Sequence, residues 1–172
     1  MKILYVASEA LPFASTGGLA DVLGSLPKAL AKSEDLDESV ILPLYGNINE
    51  NLRKTLKFVT NFNVSVGWRW QYAGVFFYEY QNVKFYFIDN EFYLGGDKPY
   101  DHIHLDMEKF VFFSKAVLSV LPTIDFRPDV IHCNDWQTGM IPAVCKAHYP
   151  YDGEMQNLKF VYTIHNLLFQ GI

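Results

Sequence analysis

A chain of 172 residues, half of them apolar and 19% charged, has the length of one domain and can bury a core, which excludes a disordered chain. The net charge of −5 argues against nucleic-acid backbones and anionic membranes as partners, and no apolar run approaches a membrane span. No signal peptide precedes the first strand, and Cys133 and Cys145 lack C-x-x-C spacing, so reduced thiols in a cytoplasmic protein are expected.

Taken in order, the apolar run Ile3–Ala7 reads as a buried strand. Ser8, Glu9 and a Leu11-Pro12 turn follow, and Ser15-Thr16-Gly17-Gly18 opens an amphipathic segment. Strand, glycine-bearing loop and helix form the plan of an anion-binding first turn, in which free N–H groups point at negative charge. Leu19, Val22, Leu23, Leu26, Ala29 and Leu30 recur at helical spacing, which predicts a helix from Gly18 to about Lys32. Pro27 removes one of its hydrogen bonds and predicts a kink or break near Gly24-Ser25. After a charged connector, Ser39–Leu42 reads as a second buried strand stopped by Pro43, and Ile48–Leu56 as a short helix.

The stretch from Lys57 to Asp89 changes to a period of two. Phe58, Phe62, Val64, Val66, Trp68, Trp70 and Tyr72 share one parity, and turns are expected at Ala73-Gly74 and Gln81-Asn82. This is an antiparallel meander beside the parallel sheet. Asp89–His104 reads as a loop around Gly95-Gly96-Asp97-Lys98-Pro99, and Asp106 as the cap of the next helix. That helix carries a stripe of Phe110, Val111, Phe113, Val117, Val120 and Leu121 and ends at Pro122. Val130–Cys133 is a short strand, Thr138–His148 a helix, and Lys159–Ile164 a last strand that delivers His165-Asn166 at its end. The whole predicts an α/β fold: a Rossmann-like doubly wound parallel sheet with an antiparallel β excursion.

In such a sheet the Thr16-Gly17-Gly18 loop, Asn134-Asp135 and His165-Asn166 all follow parallel strands and share one rim, where ligands bind. Each has a plainer reading. Gly17-Gly18 serves equally for a tight turn, Asp135 for a helix cap, Asp21 for the helix dipole and His165 for a local hydrogen bond. His102-x-His104 beside Asp101 and Asp106 has metal-ligand chemistry, but two histidines in a turn-rich loop seldom hold an ion, and no metal site is expected. Trp68, Trp70 and Tyr72 form either a stacking platform for a glucan or, as one-sided stripes usually do, core. The dinucleotide fingerprint G-x-G-x-x-G is absent, which weakens an NAD-enzyme reading.

The segments Lys2–Glu9, Pro12-Phe13-Ala14, Thr16–Val22, Val40–Tyr45, Phe110–Leu118, Asp129–Gly139 and Tyr162–Leu167 with Gln170-Gly171 together resemble bacterial glycogen synthases and plant starch synthases. The resemblance runs the length of the chain. It implies half of a GT-B type glycosyltransferase, with residues 1–172 as a truncated N-terminal, glucan-side domain and a nucleotide-binding domain absent. It implies transfer of glucose from ADP-glucose to the non-reducing end of an α-1,4-glucan such as glycogen, with retention and without metal or cofactor. The family's second Rossmann-like domain would supply the phosphate-binding cations. His165 and Asp135 are the expected catalytic positions; Ser15, Thr16, Gly17, Gly18, Asp21, Glu9, Asn166 and Trp136 are the expected substrate-binding ones. Ser15 stands where many members carry lysine, and Gln137 where histidine is common, so those contacts do not carry over. The alternative is a stand-alone, non-catalytic module that holds glucan or nucleotide.

Overall fold

The computed structural model describes residues 1–96, 99–100 and 103–171 of the chain. Strand β1 is Lys2–Val6, β2 Asp37–Pro43, β3 Lys57–Val66, β4 Arg69–Tyr80, β5 Val83–Asp89, β6 Val130–Asn134 and β7 Lys159–Thr163. Helices α1 (Gly18–Leu30), α2 (Glu50–Arg53), α3 (Glu91–Leu94), α4 (Ile103–Val120), α5 (Ile141–His148) and α6 (Gly153–Asn157) connect them. Among the described residues the strands form one seven-stranded sheet in the order β3-β4-β5-β2-β1-β6-β7. From β5 to β7 all neighbours are parallel, while β3 and β4 are antiparallel additions at one edge. The expected doubly wound sheet with an antiparallel excursion is therefore present. No helix among the described residues is long and apolar enough to cross a membrane.

Strands β1 and β2 each contain an unbroken apolar run because neighbours flank them in the sheet and other elements cover their faces; Leu4, Tyr5, Val6, Val40, Ile41 and Leu42 are all buried. Helix α4 is buried almost all round, with Phe112, Phe113, Ala116, Val117 and Val120 inside. Its neighbours are β3, β5, α3 and α5, so more than one face is covered.

Several expectations are corrected. Helix α1 runs unbroken through Pro27, which sits in its last turn, and the Ala31 N–H donates to the Pro27 carbonyl at 2.8 Å. Gly24 is there for packing: a Cβ would come within 2.7 Å of Leu11 Cβ. Ala73-Gly74 is not a turn. Strand β4 passes straight through it, and Gly74 has no side chain because the Tyr72 ring lies over it. The hairpin turn is Gly67-Trp68, with Gly67 at φ +59, the position where a type II′ turn needs glycine. Gln81-Asn82 is a turn as expected, with φ 52 and 64, the I′ pattern. The 89–104 loop contains α3, whose N-cap Asn90 accepts from the Tyr93 N–H at 2.7 Å. Asp106 does not cap α4; the helix starts at Ile103 and Asp106 forms a buried ion pair with Lys109 at 2.9 Å. The single helix expected over Thr138–His148 is a 3₁₀ turn, Trp136–Thr138, followed by α5.

Candidate functional site

Three loops meet at the C-terminal ends of β1, β6 and β7 and enclose a cleft of about 830 Å³. Glu9, Thr16, Gly17, Gly18, Tyr100, Asp106, Asp135, Trp136, Gln137, His165 and Asn166 all line it. The convergence expected from strand order is thus present, because parallel strands put their ends on one rim.

The loop after β1 is held from below. Glu9 is buried, and its carboxylate accepts from both the Thr16 backbone N–H and the Thr16 hydroxyl, the latter at 2.8 Å. This sets the start of α1. Gly17 is the N-cap, with extended backbone (φ −167, ψ −167) and no side-chain cap, so the helix's first N–H groups receive no side-chain acceptor from that position. A Cβ on Gly17 or Gly18 would meet nothing within 4 Å, and neither residue has positive φ. Neither packing nor backbone conformation within the chain calls for glycine here, which disfavours the tight-turn reading. What remains is room for a ligand to approach the helix N-terminus, where the dipole favours an anion.

Tyr100 ties this loop to the turn after β6. Its hydroxyl lies 2.7 Å from Ser8 Oγ, donates to Glu9 Oε1 at 3.3 Å and accepts from Gln137 Nε2 at 2.8 Å. Burial, together with the nearby Glu9 charge, pushes the Tyr100 phenol well above its ordinary range, so it keeps its proton. Gln137 Oε1 is buried and has no hydrogen-bond partner among the described residues.

Asp135 stands at φ 58, ψ 179, a conformation that costs a non-glycine residue on the order of 1–3 kcal/mol. It is held there by its N–H, which donates to the Thr163 carbonyl at 2.9 Å, and by its carboxylate, which accepts from the His165 N–H at 2.7 Å. The carboxylate therefore positions the histidine rather than capping a helix; no side-chain cap bond is made. The His165 ring lies with Nε2 3.0 Å from Asn134 Oδ1. Asn134 is buried, and its Nδ2 donates to the Val6 and His132 carbonyls at 3.2 and 2.9 Å. Its oxygen is consequently turned to the histidine, so Nε2 is the ring nitrogen that donates to it. His132 Nε2 pairs with Thr163 Oγ1 at 2.7 Å; burial first, then the charge of His165, lowers its pKa. The Cys133 thiol, pushed up to about 12 by burial, is inert.

Trp136 stands edge-on to Phe110 at 5.1 Å, and Gly171, at φ +80, leaves room for its ring. Asn166 Oδ1 accepts from the Leu168 N–H at 2.9 Å. Ser15 and Asp21 are exposed and lie outside the cleft's lining. The side chains of Asp101, His102 and His104 fall outside the described residues; among those described, no group of three or more His, Cys, Asp or Glu could hold a metal. No lysine or arginine is among the described lining residues, so they offer an anion dipoles but no positive charge. Sequence reasoning missed Tyr100, which has no periodicity to betray it, and gave no role to Asn134, whose signal was a polar residue ending an apolar strand.

A family model described as "Starch synthase catalytic domain" matches residues 2–172. A glycogen synthase of Lachnospira eligens is 55% identical over 171 residues, covering 99% of this chain and 36% of that protein. One from Lachnoclostridium phytofermentans is 50% identical over 171 residues with the same coverage of 99% and 36%. The catalytic domain of starch synthase IV from Arabidopsis thaliana, solved with ADP and acarbose, superposes with a TM-score of 0.86 at 25% identity, covering 98% of this chain and 34% of that one. The chain spans about a third of the length of the curated relatives it matches. A sheet with this topology, an uncapped glycine N-terminus and a histidine locked at the end of β7 go with that likeness: the chain belongs to the starch synthase catalytic domain family of GT-B glycosyltransferases.

Proposed function

We propose that the complete protein carrying this chain transfers glucose from ADP-glucose to the non-reducing end of an α-1,4-glucan, with retention, and that residues 1–172 are its glucan-side N-terminal domain. The observation that carries this reading is the meeting, in one cleft, of an open helix N-terminus with His165, whose ring is oriented by Asn134 and whose backbone is oriented by Asp135. As ADP leaves, negative charge grows on its diphosphate, and the N–H groups at the start of α1 stabilise it. With no lysine or arginine among the cleft's described lining residues, the remaining neutralisation falls to cations of a second Rossmann-like domain facing this one. His165 and Asp135 sit where a glucosyl group would lie and supply positioned hydrogen bonds to its hydroxyls. Closure of the two domains would exclude water and protect the donor from hydrolysis. The reading needs no metal or cofactor and places the enzyme in the cytoplasm.

The test is incorporation of labelled glucose into glycogen by the complete protein, with ADP-glucose and UDP-glucose compared as donors. Incorporation from ADP-glucose, absent from the 172-residue chain alone, is the expected result. A complete protein that binds glycogen and nucleotide yet transfers nothing from either donor would be the non-catalytic module instead.

A further inference from the structure

The aromatic stripe of the sequence is not core. Trp68, Trp70 and Tyr72 are 90%, 73% and 45% exposed. They sit on the β3–β4 hairpin, and the hairpin's place in the sheet gives them a direction. Strand β4 begins to pair with β5 only at Gly74, opposite Asp89, so Arg69–Ala73 pair with β3 alone. That is an arm of about 17 Å past the end of β5, at 3.3–3.4 Å per residue. Strand β5 runs parallel to β2, and so to β1 and β6, so the arm projects beyond the rim that carries the cleft. Three strand spacings, about 14 Å, separate β4 from β1.

One face of the arm, with Val64, Val66 and Ala73, is buried. On the other face Trp70 and Tyr72 stand opposite Ser65 and Asn63, and Asn61 stands opposite Gly74, over which the Tyr72 ring lies. Directly opposed residues of an antiparallel pair share a face. Aromatic rings therefore alternate with amides and a hydroxyl across two strands. The stretch from Asn61 to Tyr72 contains one residue charged at neutral pH, Arg69, whose guanidinium is paired with Glu108 of α4 and lies 5.7 Å from the Trp68 ring; the Lys115 ammonium of α4 also reaches β3, donating to the Ser65 carbonyl at 2.7 Å and to its Oγ at 3.4 Å. Both cations are engaged by protein partners, so the face has little free charge to offer a nucleic acid or an anionic membrane. A neutral polysaccharide matches it: ring faces for the apolar C–H side of a pyranose, and amides for its hydroxyls. Edge-to-edge pairing with a second copy is opposed by the bulge at Val59, where the register of β3 shifts.

We propose that this arm is a second, non-catalytic α-glucan surface, which holds a polymeric acceptor beside the cleft while its end is extended. The proposal rests on the glucan reading above. It extends that reading to polymer length: a long chain reaches both sites, whereas a three-unit acceptor fills only the cleft.

The experiment compares the complete protein with its Trp70→Ala/Tyr72→Ala variant. Binding is read without donor, as retardation in gels containing glycogen; transfer is read on glycogen and on maltotriose. The variant should bind glycogen roughly tenfold more weakly and show a similar rise in KM for glycogen. Its kcat, its KM for maltotriose and its melting temperature should stay within about experimental spread, because the removed rings are exposed. Equal retardation of both proteins overturns the proposal, as does a wild-type protein that glycogen does not retard. A parallel loss on maltotriose overturns it too, by placing the effect in the cleft. Sedimentation that shows a dimer falling to monomer with glycogen binding unchanged makes the face an interface between copies and overturns it. Because retardation needs no transfer, a wild-type protein that is retarded through these rings but transfers nothing sinks the catalytic reading and leaves the arm standing.

Discussion

The parallel strands β2-β1-β6-β7 and the antiparallel arm β3–β4 use glycine and polar residues for opposite reasons. On the parallel side, Gly17 and Gly18 have ordinary backbone angles and empty space where a side chain would go. On the arm, Gly67 also has open space, but its φ of +59 demands glycine. The first pair is explained by something that comes from outside, the second by the chain itself. Likewise Asn134 is buried and fully engaged by a carbonyl pair and a histidine, while Asn61 and Asn63 of the arm are exposed. One side is a built site; the other is a turn-limited ribbon with a bare face. Function and folding demands can be separated by asking which residues the chain would still need without a ligand.

Four substitutions can break or sharpen that contrast. The largest effect is expected at His165. In the complete protein His165→Ala should lower turnover by on the order of 10²–10³, the cost of losing one positioned group in an electrostatic site. The melting temperature should barely move, since among the described residues the ring's hydrogen-bond partner is Asn134 Oδ1 alone. Labelled-glucose incorporation beside thermal melting measures both, and near-normal turnover would make His165 structural.

The paired glycine test comes next. Gly18→Ala puts a methyl where a diphosphate would approach, so donor KM should rise roughly tenfold with the melting temperature unchanged. Gly67→Ala should do the reverse. Left-handed backbone costs a residue with a Cβ about 1–2 kcal/mol, which lowers the melting temperature by about 3–6 °C for a domain of this size, with donor KM unaffected. If both variants behave alike, the distinction between ligand-imposed and conformation-imposed glycine fails here.

The smallest effect concerns the far end of the parallel strands. Glu38, near the start of β2, is buried; desolvation pushes its carboxyl up, the Tyr5 hydroxyl opposes this and Asp37 adds to it. The folded pKa therefore exceeds the unfolded one, near 4.5. Between those two values the native state binds more protons than the unfolded state, so stability falls as pH rises through that window, and the penalty is complete above it. Glu38→Gln should raise the melting temperature by about 2 °C at pH 8 and by nothing measurable near pH 4.5. Melts at the two pH values test this, and an equal gain at both would show that charge is not the cause.

Much of the parallel half was legible in the sequence. Ile3–Val6 and Ser39–Leu42 announce buried strands because strands covered on both faces are apolar without alternation, and Val130–Cys133 reads as a short strand. Strand order then places Gly17-Gly18, Asp135 and His165 on one rim. The arm was harder. Its period of two was plain, but Ala73-Gly74 resembles a turn, and nothing local shows that Tyr72 covers Gly74. The rings of Trp68, Trp70 and Tyr72 read as core because a one-sided stripe gives parity without saying which side is covered. In the site, Tyr100 stayed hidden because its partners Ser8, Glu9 and Gln137 lie far from it along the chain.

The amino-acid order alone settled the class of fold and which loops face the cleft, since both follow from local periodicity and from the rule that parallel strands end together. Only the folded chain decided that Pro27 is absorbed within a helix, that Asp135 takes a strained backbone to hold His165, and that the aromatic face of the arm lies bare. The first depends on where the helix ends and the other two on contacts between residues distant in sequence, and neither spacing nor composition encodes them.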